Sequence, residues 1–264
     1  MQKPDVLKGI EAIAVAAGKA IMGIYNAPDF AERAAVSVKG DDSPLTQADL
    51  QAHHRIVEGL AALADKELAA LPVLSEESAL VDWSERRTWD RYWLVDPLDG
   101  TKEFIKRNGE FTVNIALIEN GVPILGVVYA PALDKLYSGV RGQASWLNDS
   151  LLGTCHELRA PRPAGSVLRV VGSRSHQSPD MAEFLSHLDQ PYELVPMGSS
   201  LKICMLAEGL ADLYPRLGLT SEWDTAAAHA VLLGVGLDMH DLTGEPLRYN
   251  QKDSLLNPFF IARC

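Results

Sequence analysis

The sequence predicts an α+β fold in two lobes, an N-terminal α+β lobe over 1–160 and a smaller C-terminal α/β lobe over 166–264. Apolar residues recur at helical spacing through the first 70 positions. From residue 72 the period becomes that of strands. Beyond a Pro-rich stretch, Ala160-Pro161-Arg162-Pro163-Ala164-Gly165, strand alternates with helix. A chain of 264 residues, 47% hydrophobic and 22% charged, has the composition of a globular protein and the length to bury a sizeable core.

Each element has a local reason. Val6, Ile10, Ile13, Ala17, Ile21 and Ile24 lie on one face of a helix from about Asp5 to Ala27. Glu11 and Lys19 bracket its apolar run, so an amphipathic helix is expected in place of a cleaved secretion signal. A second helix is expected from about Gln47 to Ala70, after a turn-forming linker, Lys39 to Thr46, that ends in a cap. Pro72 to Ser75 and Tyr92 to Val95 are short strands that each stop at carboxylates. Phe111 to Ile118 and Ile124 to Tyr129 form a hairpin about Asn120-Gly121, and Lys135 to Ser138 and Ala144 to Leu147 extend it. Later come a strand over Val167 to Gly172, helices over Pro179 to Leu188 and Ser200 to Gly209, a strand near Ala211 to Tyr214, and an Ala-rich helix over Thr225 to Gly234. A site is expected in the crevice between the lobes.

Charge narrows the function. Lysine and arginine number 24 against 35 acids, a formal charge of −11, so a nucleic acid polymer is a poor partner. A small phosphate ester is compatible, because a metal masks local negative charge. The cysteines, Cys155, Cys204 and Cys264, form no CxxC pair, which argues for a reducing, cytoplasmic setting and against a disulfide frame or a zinc site. No transmembrane segment is expected.

The informative string is Asp96-Pro97-Leu98-Asp99-Gly100-Thr101 after the apolar run Trp93-Leu94-Val95. Here the strand is expected to end at Asp96, with Pro97 setting a turn that returns Asp99 to the same side. Two such carboxylates can share a hard cation, with the Leu98 carbonyl as a third oxygen. The N–H groups of Gly100 and Thr101 can take a phosphate. The plainer reading, an Asx turn leaving a strand, is the weaker one for the whole string. Glu76 in Ser75-Glu76-Glu77-Ser78 also follows a strand, and Asp224 opens the Ala-rich helix, where capping alone would explain it. Together these form an all-oxygen set that points to Mg²⁺ or Mn²⁺.

In their order along the chain, Glu76-Glu77-Ser78, Asp96 to Thr101, and Trp223-Asp224-Thr225-Ala226-Ala227 resemble the motifs of the inositol monophosphatase superfamily of Mg²⁺-dependent, lithium-sensitive phosphatases. Within it, Ser43 to Asp49, Asp99 to Ile105, Gly172 to His176, Gly198 to Lys202 and Tyr214-Pro215-Arg216 are similar to the bacterial 3′(2′),5′-bisphosphate nucleotidase type. The chain departs from that type at Leu217-Gly218-Leu219. The resemblance implies a layered αβαβα sandwich that hydrolyses adenosine 3′,5′-bisphosphate to AMP and phosphate with metal-activated water, using two or three Mg²⁺ ions, in a process linked to sulfate assimilation. It implies one metal on Glu76, Asp96 and the Leu98 carbonyl and a second on Asp96, Asp99 and Asp224, with Asp49 and Thr101 acting on the attacking water. The substrate would touch Glu76, Leu98, Asp99, Gly100, Thr101, Asp224, Ser199, Lys202, Arg216 and His176. Peripheral contact with the inner membrane is a further implication of the resemblance.

Three rivals compete. An aspartyl-phosphate phosphatase needs Asp-x-Asp, and this spacing is one residue longer. An acidic metal-binding scaffold has no need of Thr101 or Lys202. An inositol-1-phosphate phosphatase shares the metal site and differs in the second lobe. Lys202 as a solvated helix lysine, Arg216 as an ion-paired surface residue and His176 as a helix-entry residue are the plainer readings of that lobe. His53 and His54 are expected on a solvated or satisfied face, and His229 lacks a carboxylate partner at ligand spacing.

Overall fold

A computed structural model describes residues 3–38, 44–78, 81–159, 165–172 and 179–264. Along the chain come α1 (Asp5–Tyr25), α2 (Phe30–Ala34), β1 (Ser37–Val38), β2 (Pro44–Leu45), α3 (Gln47–Ala61), α4 (Lys66–Ala69) and β3 (Val73–Ser75). Then follow α5 (Trp83–Arg86), β4 (Arg91–Asp99), α6 (Thr101–Ile105), β5 (Thr112–Glu119), β6 (Val122–Ala130), β7 (Lys135–Val140), β8 (Ala144–Asp149) and β9 (Thr154–Leu158). The remainder is β10 (Leu168–Gly172), α7 (Pro179–Ser186), β11 (Tyr192–Pro196), α8 (Leu201–Glu208), β12 (Leu213–Arg216), α9 (Glu222–Gly234), β13 (Met239–Asp241) and β14 (Phe260–Arg263).

Strands β3 to β9 form one seven-stranded sheet in sequence order, and β11-β10-β12-β14-β13 form a five-stranded one. Helices α1 and α3 cover one face of the larger sheet, and α9 crosses its other face. Helix α8 packs on α9 and on β12 and β14, while Leu185 of α7 packs with Val170 and Leu213 on the smaller sheet. The order of layers is therefore α, β, α, β, α. Small residues let α9 lie close, since a side chain at Gly126 of β6 would collide with the Ala227 carbonyl. Among the described residues no helix is long and apolar enough to cross a membrane.

Several elements differ from the sequence reading. The second helix ends at Ala61, because Asp65 accepts the N–H groups of Glu67 and Leu68 and so caps a separate helix, α4. The hairpin turn is as expected: Asn120 and Gly121 both have positive φ, 49° and 74°, as a two-residue turn between right-twisted strands requires. The Pro-rich residues 160–164 and linker residues 39–43 lie outside the described residues.

Candidate active site

The largest local correction concerns β4. It does not stop at Asp96 but runs through Asp99, with a bulge between them. Asp96 pairs with Asn114 and Asp99 with Thr112, so three steps along β4 match two along β5. In a regular strand, residues three apart point to opposite faces. The extra residue cancels that alternation and brings both carboxylates to one side. Pro97 has no N–H for the ladder, and the Leu98 N–H turns back onto Asp96 Oδ1 at 3.0 Å.

Two capping boxes supply further carboxylates. Thr46 caps α3, and Asp49, at the third helical position, accepts both the Thr46 N–H (2.8 Å) and its hydroxyl (2.5 Å) on Oδ2. Asp224 does not open α9 as expected; Ser221 does, and its N–H donates to Asp224 Oδ2 at 2.9 Å. Each box uses one oxygen of its aspartate. Asp49 Oδ1 receives the Thr101 hydroxyl at 3.3 Å, and that hydroxyl also lies 3.3 Å from the Leu98 carbonyl oxygen.

One carboxylate oxygen each from Asp96, Asp99 and Asp224 lies within 4.8 Å of the others. Glu76 follows β3, its N–H donates to the Val95 carbonyl at 3.1 Å, and its charge bears on Asp96. Burial, then the charges of Glu76, Asp99 and Asp224, push the Asp96 carboxyl well above the usual range. Burial raises Asp224 in the same way, with the Asp99 charge second. Burial lifts Asp99 to about 6, against the pull of Lys202 and of the Ser200 N–H, which donates to Asp99 Oδ2 at 2.5 Å. Buried carboxylates whose pKa values are raised by burial and by one another fit a divalent cation, which would take the place of protons.

A cavity of about 590 Å³ is lined by Asp99, Gly100 and Asp224 of the cluster's surroundings together with Lys202 of α8 and Arg216 of β12. Gly100 has φ 91°, and a Cβ there would sit 3.1 Å from the Glu110 carbonyl and 3.3 Å from Ser199 Cβ. Ser199 is not on α8; it precedes the helix at φ 48°, with its hydroxyl 3.5 Å from the Leu201 N–H. Lys202 is 8% exposed, which removes the solvated-lysine reading. Burial lowers its pKa and Asp99 opposes that shift. The Arg216 Nη2 donates to the Leu219 carbonyl at 2.7 Å, while its buried Nε has no hydrogen-bond partner among the described residues. His176 lies outside the described residues.

Sequence reasoning missed Ser200, Thr112 and Asn114. The Ser200 hydroxyl contacts Asn114 Oδ1 at 2.9 Å and Thr112 Oγ1 at 2.8 Å, tying the start of α8 to β5 beside the bulge. The available signal was two polar residues at strand spacing in an otherwise apolar run. His53 lies on a satisfied face, as expected, whereas His229 differs from expectation. His53 Nδ1 meets Ser75 Oγ at 2.9 Å, and buried His229 has a carboxylate partner after all, Asp238, at 2.7 Å.

A model of the inositol monophosphatase family matches residues 3–259. This chain belongs to the inositol monophosphatase family. It is 50% identical over 244 residues to the 3′(2′),5′-bisphosphate nucleotidase CysQ of Escherichia coli K12, covering 92% of this chain and 94% of that protein. It is 49% identical over 255 residues to the enzyme of the same name from Salmonella typhimurium, covering 97% and 98%. The crystal structure of CysQ from Bacteroides thetaiotaomicron superposes with a TM-score of 0.84 at 41% identity, over 98% of this chain and 97% of that one. The family is one of metal-dependent phosphatases, in keeping with the acidic cluster.

Proposed function

We propose that this chain is a Mg²⁺-dependent 3′(2′),5′-bisphosphate nucleotidase that hydrolyses the 3′-phosphate of adenosine 3′,5′-bisphosphate to AMP and phosphate. The observation that carries it is a single cavity lined both by carboxylates of the cluster, Asp99 and Asp224, and by two cations, Lys202 and Arg216. A bisphosphate has one phosphate to cleave and another to hold apart from it, whereas an inositol monophosphate needs no remote cations. Relatives of the same length at 50% identity carry that activity in their names.

Glu76, Asp96 and the Leu98 carbonyl would hold one ion, and Asp96, Asp99 and Asp224 a second. Their all-oxygen donor set suits Mg²⁺ and, by the same chemistry, Mn²⁺. Bound there, the ions would stabilise charge on the phosphoryl oxygens and lower the pKa of water. The chain's own residues handle the proton. Thr101 donates to Asp49, which leaves its oxygen free to accept a proton from the attacking water while Asp49 Oδ1 receives the hydroxyl proton. The water oxygen bonds to phosphorus as the bond to the 3′-oxygen breaks, and that oxygen leaves on AMP with a proton from solvent. Gly100 and Thr101 offer N–H groups to the transferred phosphate. Lys202, Arg216 and Ser199 hold the other phosphate or ribose, and His176 contacts the nucleotide. The division into a metal-site lobe, 1–160, and a nucleotide-binding lobe, 166–264, belongs to the same proposal, supported by the two separate sheets. So does a cytoplasmic location.

Phosphate release from adenosine 3′,5′-bisphosphate, its 2′,5′ isomer, inositol-1-phosphate and fructose-1,6-bisphosphate tests the assignment. The first should be turned over with the highest kcat/KM, and only with a divalent cation present. Preference for inositol-1-phosphate would overturn it, and full activity in excess EDTA would overturn the metal assignment. Thr101→Ala should lower kcat by about 10²–10⁴-fold with KM little changed. Asp49→Asn should do the same, and the double variant should be clearly non-additive. A Thr101→Ala enzyme that loses affinity alone would assign the hydroxyl to phosphate binding.

A further inference from the structure

Asp224 is oriented by the hydrogen bond it accepts from the Ser221 N–H, so whatever fixes Ser221 bears on this carboxylate. Ser221 is gripped by residues 255–257. Its carbonyl receives Asn257 Nδ2 at 2.7 Å, the Glu222 N–H donates to the Leu255 carbonyl at 2.8 Å, and Asn257 N–H donates to the Thr220 carbonyl at 2.8 Å. Buried Glu222 extends the grip, accepting the Asn250 N–H on Oε2 at 2.7 Å.

The other end of this strap is held from far away in sequence. Arg86, at the end of α5, is 2% exposed and stacks 4.8 Å from the centre of the Trp83 ring. Its guanidinium donates to Asn250 Oδ1 at 2.6 Å, to the Lys252 carbonyl at 3.2 Å and to the Asp253 carbonyl. Asn250 returns a bond from Nδ2 to the Arg86 carbonyl at 2.6 Å. Burying a guanidinium is costly, and the hydrogen bonds that compensate here come from residues 250–253.

We propose that Arg86 and Asn250 are positioning residues for Asp224: they clamp the 250–257 strap, the strap fixes Ser221, and Ser221 sets the carboxylate of the cation site. The proposal rests on the metal-site reading above. Its physical basis is that a cation site tolerates only about ±0.2 Å in ligand distance, so a small shift of the first turn of α9 is felt at the ion. Neither Arg86 nor Asn250 lines the substrate cavity, so loss of the clamp reaches the nucleotide only through Asp224 and its cation.

Titration calorimetry of the metal-free full chain with Mg²⁺ alone, beside steady-state kinetics at saturating Mg²⁺, tests the clamp. Asn250→Gly keeps the backbone N–H and tolerates φ 53°, yet removes both side-chain bonds with Arg86. Arg86→Lys keeps the charge without the fork. Both should raise the Mg²⁺ Kd by about 10–100-fold, with a much smaller change in nucleotide KM at saturating Mg²⁺ and the circular dichroism spectrum retained. Tyr129→Phe, which deletes the remote bond to Asp134, should leave the Kd as it is. Folded variants that bind Mg²⁺ like the wild type, while Asp224→Asn binds weakly, would overturn the clamp and spare the metal site. A wild type that takes up no Mg²⁺ would overturn both. Should Arg86→Lys fail to fold, Asn250→Gly decides alone.

Discussion

Asp96→Asn is expected to abolish turnover and, in the same protein, to stabilise the metal-free fold near neutral pH. Asp96 belongs to both proposed ligand sets, and losing one preorganised charge at a reacting centre costs at least about 10²–10³-fold in kcat. The amide oxygen can still accept the Leu98 N–H, so the bulge that carries Asp99 persists. The stability effect follows from the raised carboxyls. Burial and mutual repulsion raise Asp96, Asp99 and Asp224 above their unfolded values, so these groups hold protons in the folded chain that the unfolded chain has lost. Unfolding then releases protons, and stability falls as pH rises. The loss begins near the unfolded value of 3.8 and continues through the folded ones, about 6 for Asp99. In chelator, the wild-type Tm should fall as pH rises from about 4 through about 6 and beyond. The variant's Tm should fall less, and Mg²⁺ should stabilise the wild type far more than the variant. A variant that keeps more than about a tenth of wild-type kcat would defeat the bridging role. Equal pH slopes in chelator would show that the cluster carries no repulsion.

Lys202→Met and Arg216→Ala are expected to raise KM for adenosine 3′,5′-bisphosphate by about 10–100-fold each, the size of a lost charge-assisted hydrogen bond. KM for inositol-1-phosphate should change by less than about threefold, because that substrate has no second phosphate for these cations to hold. Arg216 is well suited to grip a phosphate, since one side of its planar group is anchored on the Leu219 carbonyl and its fork offers paired donors to phosphate oxygens. Lys202→Met should have a second signature. Lys202 pulls the Asp99 carboxyl down, so its removal lets Asp99 titrate higher and should move the acid limb of the pH–rate profile upward. Equal damage to both substrates would place Lys202 and Arg216 at the cleaved phosphate, and the nucleotidase assignment would lose its support.

The acidic cluster of Asp96, Asp99 and Asp224 was legible because each of its residues sits in a short string whose chemistry is local. Asp96 to Thr101 combines a carboxylate pair, a proline and a left-handed glycine within six positions. The hairpin about Asn120-Gly121 was legible for the same reason, since turn geometry is decided by the residues in it. The short C-terminal strands of the second sheet were not. Strand β14 pairs with β12 and β13 across long stretches of chain, and its four residues carry no periodic signal of their own.

The way Asp96 and Asp99 come to one face shows the division between the two sources. The sequence determined that both acids are present, that Pro97 interrupts any regular ladder between them, and that a glycine follows at position 100. A turn after Asp96 and a bulge within a continuing strand satisfy those facts equally well. Pairing with β5 chose the bulge, because Thr112 and Asn114 hold Asp99 and Asp96 in one sheet. Asp49 and Asp224 repeat the pattern. Their strings determine a helix start, yet only packing brings the two helix ends to the β4 bulge, where one oxygen of each aspartate is already committed to its cap. The Arg86 clamp had no sequence signal at all, since its partners are 164 to 167 residues away and a buried guanidinium is recognised only by what surrounds it. Local chemistry is written in neighbouring residues. The distances that make it a site are set by long-range packing, which no short window of the chain contains.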